Sequence, residues 1–309
     1  MTEAALTPIE IGLTAAIVAV EADEPFILVS GDARSDIRAG LPFGTFDPLA
    51  HRTFEIGLRA WVAAQTALNV GYVEQLYTFG DRGRHTRAGD TAAHVVSIGY
   101  LALTRVSENA AALRTASAGF EPWYSFFPWE DWRGGRPDIL DAIVPLLEQW
   151  AKSARDEPAR PPGRRERVRH CFVVGGSPWD EEKVLDRYEL LYEAGLVEEA
   201  RRDGRHATVT RGSIPAPGEP MRFDHRRILA TAIARLRAKL KYRPVVFELM
   251  QPESHSPNCS ARSRRFPAGI CTSRTSVAWL RPRPWSNRQA RPRPRLAGGR
   301  RRCFASAAM

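Results

Sequence analysis

The stretch that decides the fold is Gly71-Tyr-Val-Glu-Gln-Leu-Tyr-Thr-Phe-Gly-Asp-Arg-Gly-Arg84, followed by Ala93-His-Val-Val-Ser-Ile-Gly-Tyr-Leu-Ala-Leu103. Both runs are rich in apolar and β-favouring residues, so they predict two strands joined by a loop. The loop contains Gly, Asp and three arginines, and arginine offers paired donors that suit phosphate and other anions. An ordinary solvated hairpin loop explains the same composition equally well.

These two runs resemble a family of Nudix-related transcriptional regulators of NAD metabolism. The resemblance covers about residues 10–106 and returns at 222–250. It implies an N-terminal Nudix-like domain, a C-terminal winged-helix DNA-binding domain and a homodimer. It also implies that ADP-ribose or a related nucleotide binds the first domain and loosens the hold of the second on DNA.

The fold class expected from the resemblance is α+β, with a Nudix-like α/β/α sandwich around a mixed sheet. Apolar runs predict strands at Ile11–Val20 and Pro25–Ser30. By the resemblance, Gly44 opens the loop that leads into the helix of the active site. A partial winged-helix domain is expected after the sandwich, followed by a disordered tail.

Apolar residues at helical spacing predict a helix over Thr53–Leu68, with Thr53 as its N-cap. In Nudix hydrolases this helix carries glutamates that bind Mg²⁺, which helps to activate a water. Here the corresponding positions are Ala63, Ala64 and Gln65, and Glu55 is the only acidic residue of the helix. We therefore predict no catalytic residue, no metal ligand and no cofactor.

Two alternatives to a regulator stay open at this point. A Nudix-type pyrophosphohydrolase would need displaced carboxylates, for which Glu55, Glu74 and Asp81 are the candidates. A nucleotide-binding protein with no role on DNA is the other alternative. For a sensor, the motif places Arg82 and Arg84 on the phosphates of the ligand. The other predicted ligand-binding residues are Glu74, Tyr77 and Phe79.

The chain divides into four predicted segments: a ligand-sensing domain (1–154), an insertion or linker (155–219), the start of a winged helix (220–250) and a tail (251–309). In the first segment, the aromatic run Phe120–Trp132 is expected to pack into the core, with nucleotide stacking as the alternative, and an amphipathic helix is predicted over Pro137–Ala154.

Within 155–219, patterns predict a small α/β unit of a strand at Val168–Val174, a helix from Ser177 to Gly195, and a strand at His206–Thr210. The third segment begins with a helix over Phe223–Tyr242, with Asp224 as its N-cap. Its basic residues, which include Arg237, are expected to lie away from its buried face.

The net positive charge of the chain, +10, comes from the tail. Residues 251–309 hold 13 Arg and one Glu but no Lys or Asp, which is +12, so the first 250 residues carry −2. Reading the codons one frame over permits a back-translation with helical apolar spacing, so we hypothesise that the tail is an out-of-frame remnant of a winged helix. Recognition of DNA would then be impaired in this chain. The rival hypothesis is a genuine arginine-rich arm that binds nucleic acid through phosphates.

Other features of the sequence limit the class of protein that is expected. The N-terminus lacks the basic region of a secretory signal, and no apolar run approaches the length of a membrane span, so a cytoplasmic protein without a membrane partner is expected. Three of the four cysteines lie in the tail without C-x-x-C spacing, which argues against a zinc site and a disulfide framework.

Overall fold

A computed structural model describes residues 8–21, 24–31, 39–81, 94–106, 113, 115–153, 163–172, 174, 176, 178–205 and 217–242. The strands are β1 (Ile9–Glu21), β2 (Glu24–Ser30), β3 (Phe43–Thr45), β4 (Val73–Phe79), β5 (His94–Leu103) and β6 (Ala118–Pro122). The helices are α1 (Phe54–Thr66), α2 (Trp123–Phe126), α3 (Ile139–Ser153), α4 (Arg164–Cys171), α5 (Val184–Glu193), α6 (Glu198–Arg202) and α7 (His225–Tyr242), and Pro128–Glu130 forms a 3₁₀ turn.

The strands form one mixed sheet in the order β4-β5-β1-β2-β6, with β3 paired to β1. β1 and β5 run parallel, and the other neighbours run antiparallel. Between Ile11 and Val20, β1 is apolar except at Gly12 and Thr14, as expected for a strand with both faces covered. Leu13, Ala15 and Ile17 point to one face, whereas Ala16 and Val18 point to the other.

Each face of the sheet is covered by a helix. Leu58 and Val62 of α1 join the hydrophobic cluster on the first face, and Ile228 and Ile233 of α7 join the cluster on the second. The predicted mixed-sheet α/β/α sandwich is therefore confirmed. Gly99 of β5 lies where α7 approaches closely, since a Cβ there would be 2.9 Å from the ring of Phe79 and 3.1 Å from Ile228.

α1 begins as the sequence predicts but ends unusually. The hydroxyl of Thr53 accepts a hydrogen bond from the backbone N–H of Ile56 at 3.2 Å, which confirms the predicted N-cap. At the other end, Ala67 adopts the left-handed conformation, with φ 56°, and its N–H donates to Ala63 O. Glycine is the usual residue there, because a Cβ is strained at positive φ.

Replacing Ala67 with Gly is therefore expected to raise the free energy of unfolding by about 0.5–1 kcal/mol, measured by urea denaturation. Ala64→Gly is the matched control, because Ala64 is exposed within the same last turn but has helical geometry. That control is expected to lower stability by about 1 kcal/mol. Equal effects of the two substitutions would contradict a strained end at Ala67.

The segment after β6 contributes large aromatic residues to the second cluster. Trp123, Phe126, Phe127 and Trp129 are all fully buried, so the prediction that these aromatic residues form core is confirmed. The predicted amphipathic helix is also confirmed, as α3, with Pro145 inside it. Its buried residues are Leu140, Ile143, Leu147, Trp150 and Ala151.

The unit between α3 and α7 is helical in the residues that the structure describes there. The predicted strand at Val168–Val174 is wrong, because residues 168–171 form the end of α4. Val168, Cys171 and Phe172 are the buried residues, and their spacing is that of a helix. The next helix begins at Val184, later than predicted, and Gly195 follows it with φ +70°. Ser177 and the predicted strand at His206–Thr210 lie outside the described residues.

A buried carboxylate joins this helical unit to α7. Glu130 is 1% exposed and accepts hydrogen bonds from Arg187 of α5 (Nε–Oε1, 2.5 Å) and Arg237 of α7 (Nη1–Oε2, 2.7 Å), both fully buried. The expectation that Arg237 lies away from the buried face is therefore wrong. Burial by itself raises the pKa of the Glu130 carboxyl, but the two guanidinium charges outweigh it and hold the pKa below its ordinary value.

A second buried ion pair makes the same connection. Arg226 of α7 lies 3.3 Å from Glu199 of α6 and donates to the backbone carbonyl of Phe126 at 3.0 Å. Glu199 also accepts from the N–H of Met221 at 2.9 Å. The division of the chain at 155 and 220 stays a prediction, but the described helices on both sides of residue 220 share these contacts.

Glu130→Gln is expected to lower the free energy of unfolding at pH 7 by about 3–5 kcal/mol, since it leaves two buried guanidinium groups without a counter-charge. The control is Asp141→Asn, which breaks the exposed pair with Arg136 and should cost less than about 1 kcal/mol. Both are measured by urea unfolding, and comparable losses would contradict the assigned role of Glu130.

The stability that Glu130 contributes through its two arginines has a defined pH dependence. Because the folded-state pKa of Glu130 lies below its ordinary value of 4.5, the stability it contributes is present above pH 4.5 and is lost as the pH falls through the folded-state pKa. Stability of the wild type should therefore decline more steeply below pH 4.5 than that of Glu130→Gln, as measured by unfolding at a series of pH values.

Candidate functional site

The last turn of α1 is hydrogen-bonded to β3 through a side chain. The side chain of Gln65 accepts from the N–H of Phe43 at 3.2 Å and donates to the carbonyl of the same residue at 2.5 Å. An amide can do both, whereas an ionised carboxylate can only accept. Ala63 and Ala64 are exposed on the same turn and carry no ligand atom. Of the three positions predicted to replace metal-binding glutamates, two are thus exposed alanines, and the third is a glutamine whose amide holds α1 against β3.

Gly44 lies inside β3, where it pairs with Leu13, so the prediction that it opens a loop is wrong. A Cβ at Gly44 would be 2.2 Å from the ring of Trp61. The indole of Trp61 also donates to the carbonyl of Thr45 at 2.9 Å. Glycine is required here because α1 lies directly against the strand.

The three carboxylates that a hydrolase would need are held on different elements. Glu55 pairs with Arg59 at 2.9 Å on the α1 side of the sheet. It lies close enough to Tyr100, on the same face, that it adds to the effect of burial in raising the pKa of that phenol. Glu74 and Asp81 instead pair with residues of α7, on the opposite face. Within the described ranges, no group of three or more His, Cys, Asp or Glu could hold a metal ion.

The predicted ligand-binding residues of β4 do not share one environment. The carboxylate of Glu74 accepts from the Nζ of Lys239 at 2.5 Å and from the hydroxyl of Tyr72 at 2.7 Å. Phe79 is buried, whereas Tyr77 is 62% exposed, and their rings meet edge to face at 5.4 Å. An irregularity of the ladder between Gln75 and Thr78 accounts for the exposure of Tyr77, since bulges redirect side chains.

Arg82 and Arg84, the predicted phosphate-binding residues, lie outside the described residues. Asp81, immediately before them, is described and forms an ion pair with Arg227 of α7. The structure therefore brings Tyr77 and Phe79 together at the end of β4 and fixes the base of the hairpin loop to α7. It places Glu74 in a separate pair farther along the strand.

Sequence reasoning did not identify a set of contacts between the start of α7 and the residues from Ser30 to Phe43. The N–H of Leu41 donates to Nδ1 of His225 at 3.0 Å, and Arg222 donates to the carbonyl of Ser30 at 3.0 Å. The ring of Phe43 lies 5.2 Å from that of Phe223 and 5.1 Å from that of His225. Their partners are about 180 residues away, so no local pattern could have revealed these contacts.

Two substitutions can separate the stability that comes from the hydrogen bonds of Gln65 from the effect of adding a negative charge to this turn. Gln65→Glu should lower the free energy of unfolding by about 1–3 kcal/mol, because it removes a donor and places a carboxylate against the carbonyl of Phe43. Ala64→Glu adds the same charge to the same turn at an exposed position and should cost less than about 0.5 kcal/mol. Urea unfolding measures both, and equal losses would assign the effect to charge alone.

No protein-family model matches the sequence, and no curated protein matches it. Among solved structures, the chain is similar to Shewanella oneidensis NrtR in complex with a 27mer DNA (15% identity, TM-score 0.36, 74% of this chain and 63% of that chain). It is also similar to the Nudix domain of the same NrtR in complex with ADP ribose (20% identity, TM-score 0.30, 38% of this chain and 76% of that chain).

A third similar structure is a MutT/nudix family protein from Enterococcus faecalis (19% identity, TM-score 0.28, 34% of this chain and 39% of that chain). The chain spans less than two thirds of the length of the full NrtR structure that it matches. The neighbours found by structure thus include Nudix-domain proteins, the class that the sequence resembles.

Proposed function

We propose that this protein is a transcriptional regulator of NAD metabolism whose Nudix-like domain senses ADP-ribose or a related nucleotide without hydrolysing it. The observation that carries the proposal is the last turn of α1, where Ala63 and Ala64 offer no ligand atom and Gln65 is bonded to β3. Proteins hold Mg²⁺ through carboxylates, which this turn lacks, and the one side-chain oxygen of the turn that could replace them, Oε1 of Gln65, accepts from the N–H of Phe43.

The ligand would bind at the end of β4. Arg82 and Arg84 would bind its phosphates through charge-assisted hydrogen bonds, as arginine pairs do. Tyr77, which is exposed next to Phe79, would lie within reach of the nucleoside. Phe79 is buried, and Glu74 is 21% exposed and paired with Lys239, so both are less accessible than Tyr77.

Ligand and DNA would be linked through two arrangements of a homodimer. For the ligand to release DNA, it must bind the DNA-free arrangement more tightly than the DNA-bound one. The winged helix would begin within 220–250, and recognition of DNA would be impaired in this chain if the tail is out of frame. Sequencing the gene across the codons for Met250 to Glu253 tests the frameshift, which an intact, confirmed frame would exclude.

The central experiment is a calorimetric titration of the full chain with ADP-ribose, with and without Mg²⁺. We expect saturable binding and no conversion of the ligand to AMP and ribose phosphate. Arg82→Ala and Arg84→Ala should each weaken binding about 10- to 100-fold, the loss of one charge-assisted contact. Arg136→Ala is the matched control, since Arg136 is an exposed arginine paired with Asp141 on α3 and should leave affinity unchanged.

Two results would contradict the proposal. Metal-dependent turnover of ADP-ribose would make the protein a pyrophosphohydrolase, and the acidic residues responsible would then have to be sought beyond the last turn of α1. The absence of saturable binding to ADP-ribose and to related nucleotide diphosphates would remove the sensing role itself.

A further inference from the structure

The helical unit between α3 and α7 concentrates positive charge in its first helix. α4 contains four arginines and one glutamate in eight residues, which is +3. In α5, one arginine stands against three acidic residues, which is −2, and in α6 the two signs balance. Only Val168 and Cys171 of α4 are buried, so this helix presents mainly charged side chains.

Two of the four arginines fix the orientation of α4. Arg167 forms two hydrogen bonds with Glu193 of α5, from Nη1 to Oε2 at 2.8 Å and from Nη2 to Oε1 at 2.6 Å. Arg164 lies over the ring of Trp150 of α3, with its Cζ 4.5 Å from the ring centroid. These contacts hold the helix against α3 and α5. They leave four of its residues exposed, namely Arg165, Glu166, Arg169 and His170.

Arg165 and Arg169 lie one turn apart among these exposed residues. In the part of the chain that the structure describes, neither has a hydrogen bond, an ion pair or a ring contact. Glu166 is three residues before Arg169, but its carboxylate lies 3.6 Å from Nε2 of His170. Like charges four residues apart repel each other and destabilise a helix. The two arginines therefore add no stabilising contact to the fold, and both charges are available to an anion.

The chemistry of this face of α4 indicates a phosphate backbone rather than a protein surface. Interfaces between proteins are built around an apolar core, and none of the four exposed residues of α4 is apolar. Nucleic acid attracts cations through its charge alone, and the planar guanidinium group matches the oxygens of a phosphate. The Cβ atoms of residues four apart on a helix are about 6 Å apart, so both arginines can contact one strand.

We propose that Arg165 and Arg169 form a sequence-independent contact with the phosphate backbone of DNA, separate from the winged helix. The inference rests on the proposed role of the chain on DNA, but it requires neither a bound nucleotide nor a recognition helix. Each arginine neutralises one phosphate and releases counterions from the DNA. The contact thus adds affinity without reading the sequence.

The test is fluorescence anisotropy of the full chain with a labelled DNA duplex of arbitrary sequence, at NaCl concentrations from about 50 to 200 mM. The logarithm of the association constant falls with the logarithm of salt concentration, by about 0.9 for each neutralised phosphate. The double variant Arg165→Gln/Arg169→Gln should therefore have a slope that is shallower by about 1.8. Over this range of salt, the wild type should lose about 12-fold more affinity than the variant.

The matched control is the double variant Arg136→Gln/Arg201→Gln. It removes two exposed arginines that already pair with Asp141 and Glu198. The net charge changes by the same amount as in the α4 variant, and the arginine-rich tail is present in all three proteins. The slope of this control should equal that of the wild type.

Three results would overturn the inference. An unchanged slope in the α4 variant would show that its two arginines do not contact phosphates. An equal change of slope in the α4 variant and in the control would assign the effect to net charge. A wild type that binds no duplex would count against the proposed role on DNA as well, whereas the titration with ADP-ribose tests sensing independently of all three results.

Discussion

The arrangement of the whole described chain depends on one buried carboxylate, Glu130, between the guanidinium groups of Arg187 and Arg237. A charge without water is tolerated only when its partners are held in place, and removing one partner leaves an uncompensated charge. The three residues belong to a 3₁₀ turn, α5 and α7. The unit between α3 and α7 is therefore fixed to the sandwich by paired charges, and Arg226–Glu199 repeats the connection.

That fixed position of α7 determines the geometry of the proposed site. Arg226 and Arg237 are held in the core, and Arg227 and Lys239 of the same helix pair with Asp81, just after β4, and with Glu74 in β4. Across the sheet, α1 is held against β3 by Gln65. β3 and the end of β4 are thus held in place by side-chain hydrogen bonds of α1 and by ion pairs of α7, respectively.

Much of the sandwich could be predicted from the sequence, because strands covered on both faces read as continuous apolar runs and α1 carries its cap at Thr53. The prediction of a strand at Val168–Val174 rests on a short run rich in apolar residues, and periodicity alone cannot distinguish such a run from a buried segment of helix. The burial of Arg237 was not predictable, since its partner Glu130 is 107 residues away and charge alone indicates solvent. For the same reason, the site was predicted on β4 without the residues of α7 that pair with it.

The proposed change from catalysis to sensing follows from how charge on a diphosphate is balanced. A hydrolase neutralises that charge with Mg²⁺, which also orients and activates a water. Arginine neutralises the same charge through paired hydrogen bonds but coordinates no water, so it stabilises the bound ligand as much as any transition state. A chain with Arg82 and Arg84 after β4 in the sequence, and with Ala63, Ala64 and Gln65 in place of acidic residues on α1, would therefore gain affinity without gaining rate.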